Sequence, residues 1–219
     1  DYLNICNWGE SDLWAKSVQQ EQREEKTEIR TADDFYRHFQ ALLGSLYEKY
    51  EFENLVQVTD ENAWETAHRL AIYGLAGSEG MNVSRNLMLN RIFGRYMRKK
   101  CPDAKVYDGL WSYLIPIEGK DTGSDRDCQT SLAWHSTDLW FSFNSLRPGI
   151  PADRPWRPCD YRMGDIMSSY WANFIRCGNP NGENLPEWPE TGNCYGWADL
   201  GAEIVPHRGL EGKMDRVLI

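Results

Sequence analysis

The sequence predicts an α/β fold, on two observations. Apolar residues bunch and alternate from Val106 to Ile117 without helical spacing, which reads as a buried strand. Segments on both sides of it carry apolar residues three and four apart, which reads as amphipathic helix. Helices, then a strand, then a helix is the layout of part of an α/β sheet. With 219 residues, 41% of them hydrophobic, the chain has enough apolar side chains to build a core, and no low-complexity tract interrupts it.

The elements follow in chain order. Tyr2-Leu3-Asn4-Ile5-Cys6 reads as a short strand that runs into a polar turn over Asn7 to Asp12. The charged stretch from Glu21 to Arg30 reads as an exposed loop or helix. Thr31 is a good N-cap, Asp33 and Asp34 suit the positive end of a helix, and Phe35, Phe39, Leu42 and Leu43 form its apolar stripe before Gly44. A second helix is expected over Glu61 to Ile72, with Trp64, Ala67, His68 and Ala71 on one face. A third is expected over Val83 to Lys99, with Leu87, Ile92 and Tyr96 inward and the basic run Arg95 to Lys100 closing it. Cys101-Pro102 breaks that helix, and the buried strand over Val106 to Ile117 follows. A Gly-, Asp- and Ser-rich loop spans Glu118 to Gln129, ahead of His135 and an apolar run from Leu139 to Leu146. Arg147 to Pro158 is too rich in Pro to be regular. Gly164 to Cys177 is a strong amphipathic helix, stopped by Gly178-Asn179-Pro180. Turns carrying Trp188 and Trp197 lead to a short finishing strand.

Composition excludes several functions. The formal net charge of −9 argues against nucleic acid, which needs a basic face. No stretch approaches the ~18 apolar residues of a membrane helix, so no membrane partner is expected. The six cysteines include no C-x-x-C pair and no zinc spacing, so neither metal nor cofactor is expected. They read as reduced thiols, which leans toward a cytoplasmic setting and leaves localisation open. The chain opens at Asp1 with no signal-like segment, so either a signal was removed or something longer stood upstream.

His135 is the first candidate for chemistry. It lies in a loop beyond the buried strand, where α/β sheets place catalytic side chains, and an imidazole is suited to general-base work. The alternative is a loop histidine bonded to backbone. His38 and His68 on helices, and His207 in the tail, read as structural. A nucleophile is harder to find. Gly9-Glu10-Ser11-Asp12-Leu13 and Ala76-Gly77-Ser78-Glu79-Gly80 each miss the G-x-S-x-G elbow or its strand-to-helix context.

Trp134-His135-Ser136-Thr137-Asp138-Leu139-Trp140-Phe141-Ser142-Phe143 resembles the catalytic-His segment of the type B carboxylesterases, in which an acid follows the His by three positions. Met167-Ser168-Ser169-Tyr170-Trp171-Ala172-Asn173-Phe174 through Gly182, with Leu185-Pro186-Glu187-Trp188-Pro189, resembles that family's C-terminal helix and the turn after it. The strand over Val106 to Ile117 and the helix opening at Thr31 fall in the matching order, so the resemblance covers nearly the whole chain.

The resemblance implies an α/β-hydrolase fold and hydrolysis of carboxylic esters by a Ser–acid–His triad. His135 would be the general base, and Glu10 matches the acid that orients it, with Asp12 a second choice. Asp138 would hold the shape of the His loop. The elbow Ser and the glycine-rich oxyanion loop lie upstream in the family. Residues 1–219 would then be the C-terminal portion of a single domain (late sheet strands plus helices), with a helical region at about 31–100. Its partners would be a small-molecule ester and the N-terminal portion of the same protein, without which cut strand edges should leave it unstable. Of the ten Trp, Trp171 and Trp188 read as core, whereas Trp8, Trp14, Trp134 and Trp140 flank the proposed acid and base. They either wall a substrate pocket, Trp134 and Trp8 foremost, or pack into the core. The rival to an enzyme is a non-catalytic binding or adhesion protein on the same fold.

Overall fold

The computed structural model describes residues 1–9, 29–73, 85–124, 126–148 and 154–208. The chain divides into two compact units, one of Asp1–Glu10 with Asn86–Gly209 and one of Ser11–Arg85 with Leu210–Ile219.

The first unit is built on a four-stranded sheet in which sequence order is also spatial order. Strand β1 (Tyr2–Asn7) pairs in parallel with β2 (Val106–Trp111), from Tyr2 opposite Val106 to Asn7 opposite Trp111. Strand β3 (Trp197–Leu200) pairs in parallel with the far end of β2 and turns back antiparallel as β4 (Ile204–His207). Every residue of β2 is buried, as expected of a central parallel strand covered on both faces. The tail therefore adds two paired strands where a single one was expected.

Pro158–Cys177 forms the long helix of this unit, starting six residues earlier than the apolar pattern predicts. The physical cause is at its start. Pro158 takes the first helical turn, where its missing N–H costs nothing, and Asp160 returns bonds to the Arg157 backbone and side chain. Burial would raise the Asp160 carboxyl, but the Arg157 guanidinium and the Tyr113 hydroxyl, 2.6 Å away, hold it below its ordinary range. At the other end Gly178 adopts φ 70°, a left-handed cap that suits a residue without a Cβ. Met167 and Tyr170 carry this helix into a core with Trp111, Phe141, Ile115, Leu200 and Trp188.

Arg85–Lys100 is also helical and ends on Arg98, Lys99 and Lys100 as expected. Its inward face differs from the expected one: Leu87 and Arg91 are buried, whereas Ile92 and Tyr96 are exposed. Leu87 and Arg91 are four apart and share a stripe, and Ile92, five from Leu87, falls off it.

Arg91 faces a second surprise, the fully buried carboxyl of Asp108 on β2. Asp108 accepts from the Asn4 amide at 2.9 Å on one oxygen, and its other oxygen has no hydrogen-bond partner among the described residues. Burial pushes its pKa up to about 6, against the lowering effects of Asn4, Thr191 and Arg91. The folded state thus holds this proton to higher pH than the unfolded chain. Its contribution is present in full below the ordinary carboxylate range near 4 and is lost as pH rises through about 6. Asp108→Asn, neutral at every pH, is expected to match the parent at pH 4 and exceed it at pH 8, by on the order of 2–3 kcal/mol. Urea denaturation at the two pH values measures the difference.

The second unit is helical: Ala32–Leu43, Ser45–Lys49, Phe52–Leu55 and Ala63–Tyr73. Thr31 and Asp34 close a reciprocal capping box at the first of these, and Gly44 ends it, as the sequence indicates. Phe35, Phe39, Tyr47 and Phe52 form an aromatic core with Val56, Ala63 and Leu70. Trp64 and His68 share one face, as expected, and stack at 5.0 Å between ring centres, with Trp64 exposed. Ala71 lies outside the residues whose side chains are described.

Candidate active site

The site begins where β1 and β2 end side by side. The Trp8 amide donates to the Trp111 carbonyl at 2.9 Å, and the Gly9 amide to the Ala133 carbonyl at 2.9 Å. The chain leaving β1 is thus pinned to the segment two residues before His135. The approach is close enough to require glycine: a Cβ on Gly9 would lie 2.0 Å from the Ser131 carbonyl oxygen and 3.1 Å from that of Ala133. Both obstacles are backbone and cannot rotate away. Gly9→Ala is therefore expected to pry the two segments apart at a cost of about 1–3 kcal/mol, read as a lowered midpoint in urea.

His135 occupies the corner of a tight turn, closed by the Thr137 amide donating to the Trp134 carbonyl at 3.2 Å. The next residue, Ser136, has φ 68°, the left-handed conformation that a turn's third position demands and that non-glycine residues seldom adopt. His135 is exposed, Trp134 half-buried and Thr137 fully buried. The corner projects to solvent while both its flanks are held inside.

What holds the flanks is a network centred on Thr137. Its hydroxyl donates to the Trp134 carbonyl at 2.9 Å. It accepts from the Trp111 indole N–H at 2.9 Å and from the Asn7 amide at 3.2 Å. One donated and two accepted bonds are the full capacity of a hydroxyl. The Asn7 amide also donates to the Trp134 carbonyl, at 2.8 Å. Asn7, Trp111 and Thr137 are all buried, so these bonds form away from water. The sequence reading missed all three. The available signal was a polar residue at the end of each of two apolar runs: Asn7 after Ile5-Cys6, and Thr137 inside an aromatic segment.

Beside the turn stands an indole cluster. Trp134 meets Trp140 edge-on at 5.8 Å, and Trp140 meets Trp156 at 6.0 Å. The guanidinium of buried Arg154 lies 5.5 Å from the Trp134 ring and 5.6 Å from the Trp140 ring. It also donates to the Pro116 carbonyl at 2.9 Å and pairs with Asp121 at 3.2 Å. Trp8 and Trp134 both pack against the core of this unit while remaining partly exposed.

Asp138 opens the helical turn Leu139–Ser142, its carbonyl accepting from the Phe141 and Ser142 amides at 3.1 and 2.8 Å. His38 lies edge-on to Phe39, and His207 stacks on Trp197 at 3.9 Å. Glu10, Asp12 and Trp14, and the elbow-like Ser11 and Ser78, lie outside the described residues. Among the described residues, no group of three or more His, Cys, Asp or Glu could hold a metal ion. Nor is any helix among them long and apolar enough to cross a membrane.

Residues 10–213 match the carboxylesterase family. Carboxylesterase 1E of Rattus norvegicus is 44% identical over 108 residues, 48% of this chain and 18% of that protein. Carboxylesterase 1C of the same organism is 30% identical over 164 residues, 62% of this chain and 29% of that protein. The chain thus spans less than a third of the length of these relatives. A solved carboxylesterase of Geobacillus stearothermophilus aligns with 99% of this chain and 39% of its own, at 17% identity and a TM-score of 0.50. The chain belongs to the carboxylesterase family, and its strands and helices are part of an α/β-hydrolase fold.

Proposed function

We propose that this chain supplies the base and the orienting acid of a serine carboxylesterase, with the nucleophile on an upstream portion of the same protein. The observation that carries the reading is the pinning of Gly9 to Ala133: the chain leaving β1 is held against the segment that leads into His135, and Glu10 is the next residue in the sequence. An acid from one loop and a base from the next is the relation a triad requires.

In the reaction, His135 takes the proton of the attacking Ser hydroxyl as that oxygen adds to the ester carbonyl. The tetrahedral intermediate collapses, the C–O bond to the alcohol breaks, and the imidazolium returns its proton to the leaving alkoxide. His135 then deprotonates a water that attacks the acyl-enzyme, and the same proton restores the Ser as the carboxylic acid leaves. Glu10, with Asp12 as the second choice, stabilises the imidazolium and fixes its tautomer. Trp134 and Trp8 wall the ester pocket, because a partly exposed indole offers an apolar face at the mouth of a site. The substrate class is a small-molecule carboxylic ester, and the chemistry needs no cofactor.

The test combines the chain with a separately produced upstream portion carrying the G-x-S-x-G elbow, and measures hydrolysis of a simple aryl ester. Activity in the mixture that disappears with His135→Ala supports the reading. Activity that survives His135→Ala overturns the assignment of the base. A well-folded complex without activity overturns the esterase reading in favour of a binding protein on the same fold.

A further inference from the structure

We infer that Asn7 and Thr137 are positioning residues for His135, acting through the hydrogen bonds that bracket its turn. The inference rests on the reading of His135 as the base. Two oxygens flank His135 in the chain, the Trp134 carbonyl and the Thr137 hydroxyl, and every bond of the network ends on one or both of them. The donors come from Asn7 at the end of β1 and Trp111 at the end of β2, so the corner carrying the imidazole is referenced to the two strand ends. The proposed acid, Glu10, follows Asn7 by only three residues, so one side chain ties the position of the base to the strand that leads into the acid.

Ser136 adds a reason for the bracket. Its left-handed backbone is a conformation that relaxes unless neighbours enforce it, and relaxation there would rotate the peptide next to His135. The Thr137 hydroxyl is already saturated, so a rotation that breaks one bond strands a buried donor of Asn7 or Trp111. The turn therefore has a single well-satisfied geometry. A base held this way loses rate through small displacements, because an error near 1 Å costs about 100-fold.

The experiment uses Thr137→Val, which keeps the shape and removes the hydroxyl, against Thr137→Ser, which keeps the hydroxyl. In the complex with the upstream portion, the imidazole carbon–proton signal of His135 is identified by its loss in His135→Ala. We expect one sharp signal in the parent and in Thr137→Ser, and a displaced or split signal in Thr137→Val. In the reconstituted esterase, Thr137→Val is expected to lower kcat about 10- to 100-fold with KM held within about twofold, and Thr137→Ser to stay within about threefold of the parent. An unmoved signal or a parental kcat in Thr137→Val overturns the inference, as does a Thr137→Ser variant equally impaired. Activity that survives His135→Ala would instead remove the base assignment, leaving the imidazole signal to decide the network. If Thr137→Val does not fold, Trp111→Phe removes one donor and keeps an aromatic ring at the position. A displaced His135 signal in that variant supports the inference, and a parental one overturns it.

Discussion

Replacing His135 by alanine is expected to lower kcat for a simple aryl ester by about 10³- to 10⁶-fold, with little change in stability. In the proposed mechanism the rate falls this far because both half-reactions route a proton through one imidazole, and a Ser hydroxyl without a base is a weak nucleophile. Removing a triad member leaves only the acceleration from binding and oxyanion stabilisation. The stability hardly moves because His135 is exposed at the corner of its turn, while the bonds that define that turn belong to Asn7, Trp111, Trp134 and Thr137. Substitutions at exposed positions usually shift stability by no more than ~0.5 kcal/mol. The paired measurement is single-turnover kinetics and a urea melt on the same preparations. A large loss of rate at an unchanged midpoint separates a chemical role from a structural one.

Trp188→Ala is expected to destabilise the fold by about 3–5 kcal/mol. Trp188 is fully buried, and its ring meets Tyr170 edge-on at 5.2 Å. Its indole N–H donates to the Asp108 carbonyl at 2.9 Å, tying the loop after the long helix to the central strand. Its own backbone is clasped at both ends by the Asn181 side chain, at 2.7 and 2.9 Å. Truncation opens a large cavity, leaves a strand carbonyl without its partner and releases the loop. Trp188→Phe keeps most of the ring and should cost less, since it loses the N–H but fills the space. Urea denaturation of the two variants separates the packing from the hydrogen bond. A loss below 1 kcal/mol in Trp188→Ala would show that this loop does not clamp the sheet.

The contrast between these residues shows what could be read along the chain. Thr31 and Gly44 mark helix ends because caps act within a few residues of themselves, and both ends were legible. The strand expected over Val106 to Ile117 was legible over Val106–Trp111, because a strand buried on both faces has nothing but apolar pattern to offer, apart from Asp108; its end was not, because buried Tyr113 and Ile115 extend the apolar pattern past Trp111. The start at Pro158 was hidden, because the apolar stripe begins only at Met163 while the first turn is held by the polar contact of Arg157 and Asp160. Ile92 and Tyr96 were placed on the wrong face for a different reason. Large apolar residues also stand on surfaces, and which stripe of a helix turns inward depends on what it meets.

At the site the division is similar. His135 was legible as a candidate from its residue type, its place after a buried strand and the segment around it. Asn7, Trp111 and Thr137 were not, because no two of them are closer than 26 residues in the chain and their bonds exist only once β1 and β2 are paired. By itself the sequence determined the α/β class, the family resemblance and the candidate base, all of which rest on local pattern and residue chemistry. Only the tertiary structure decided which polar groups share a buried network, which helical faces turn inward and why Gly9 must be glycine. Those are contacts between segments far apart in the chain, and they have no local signature to read.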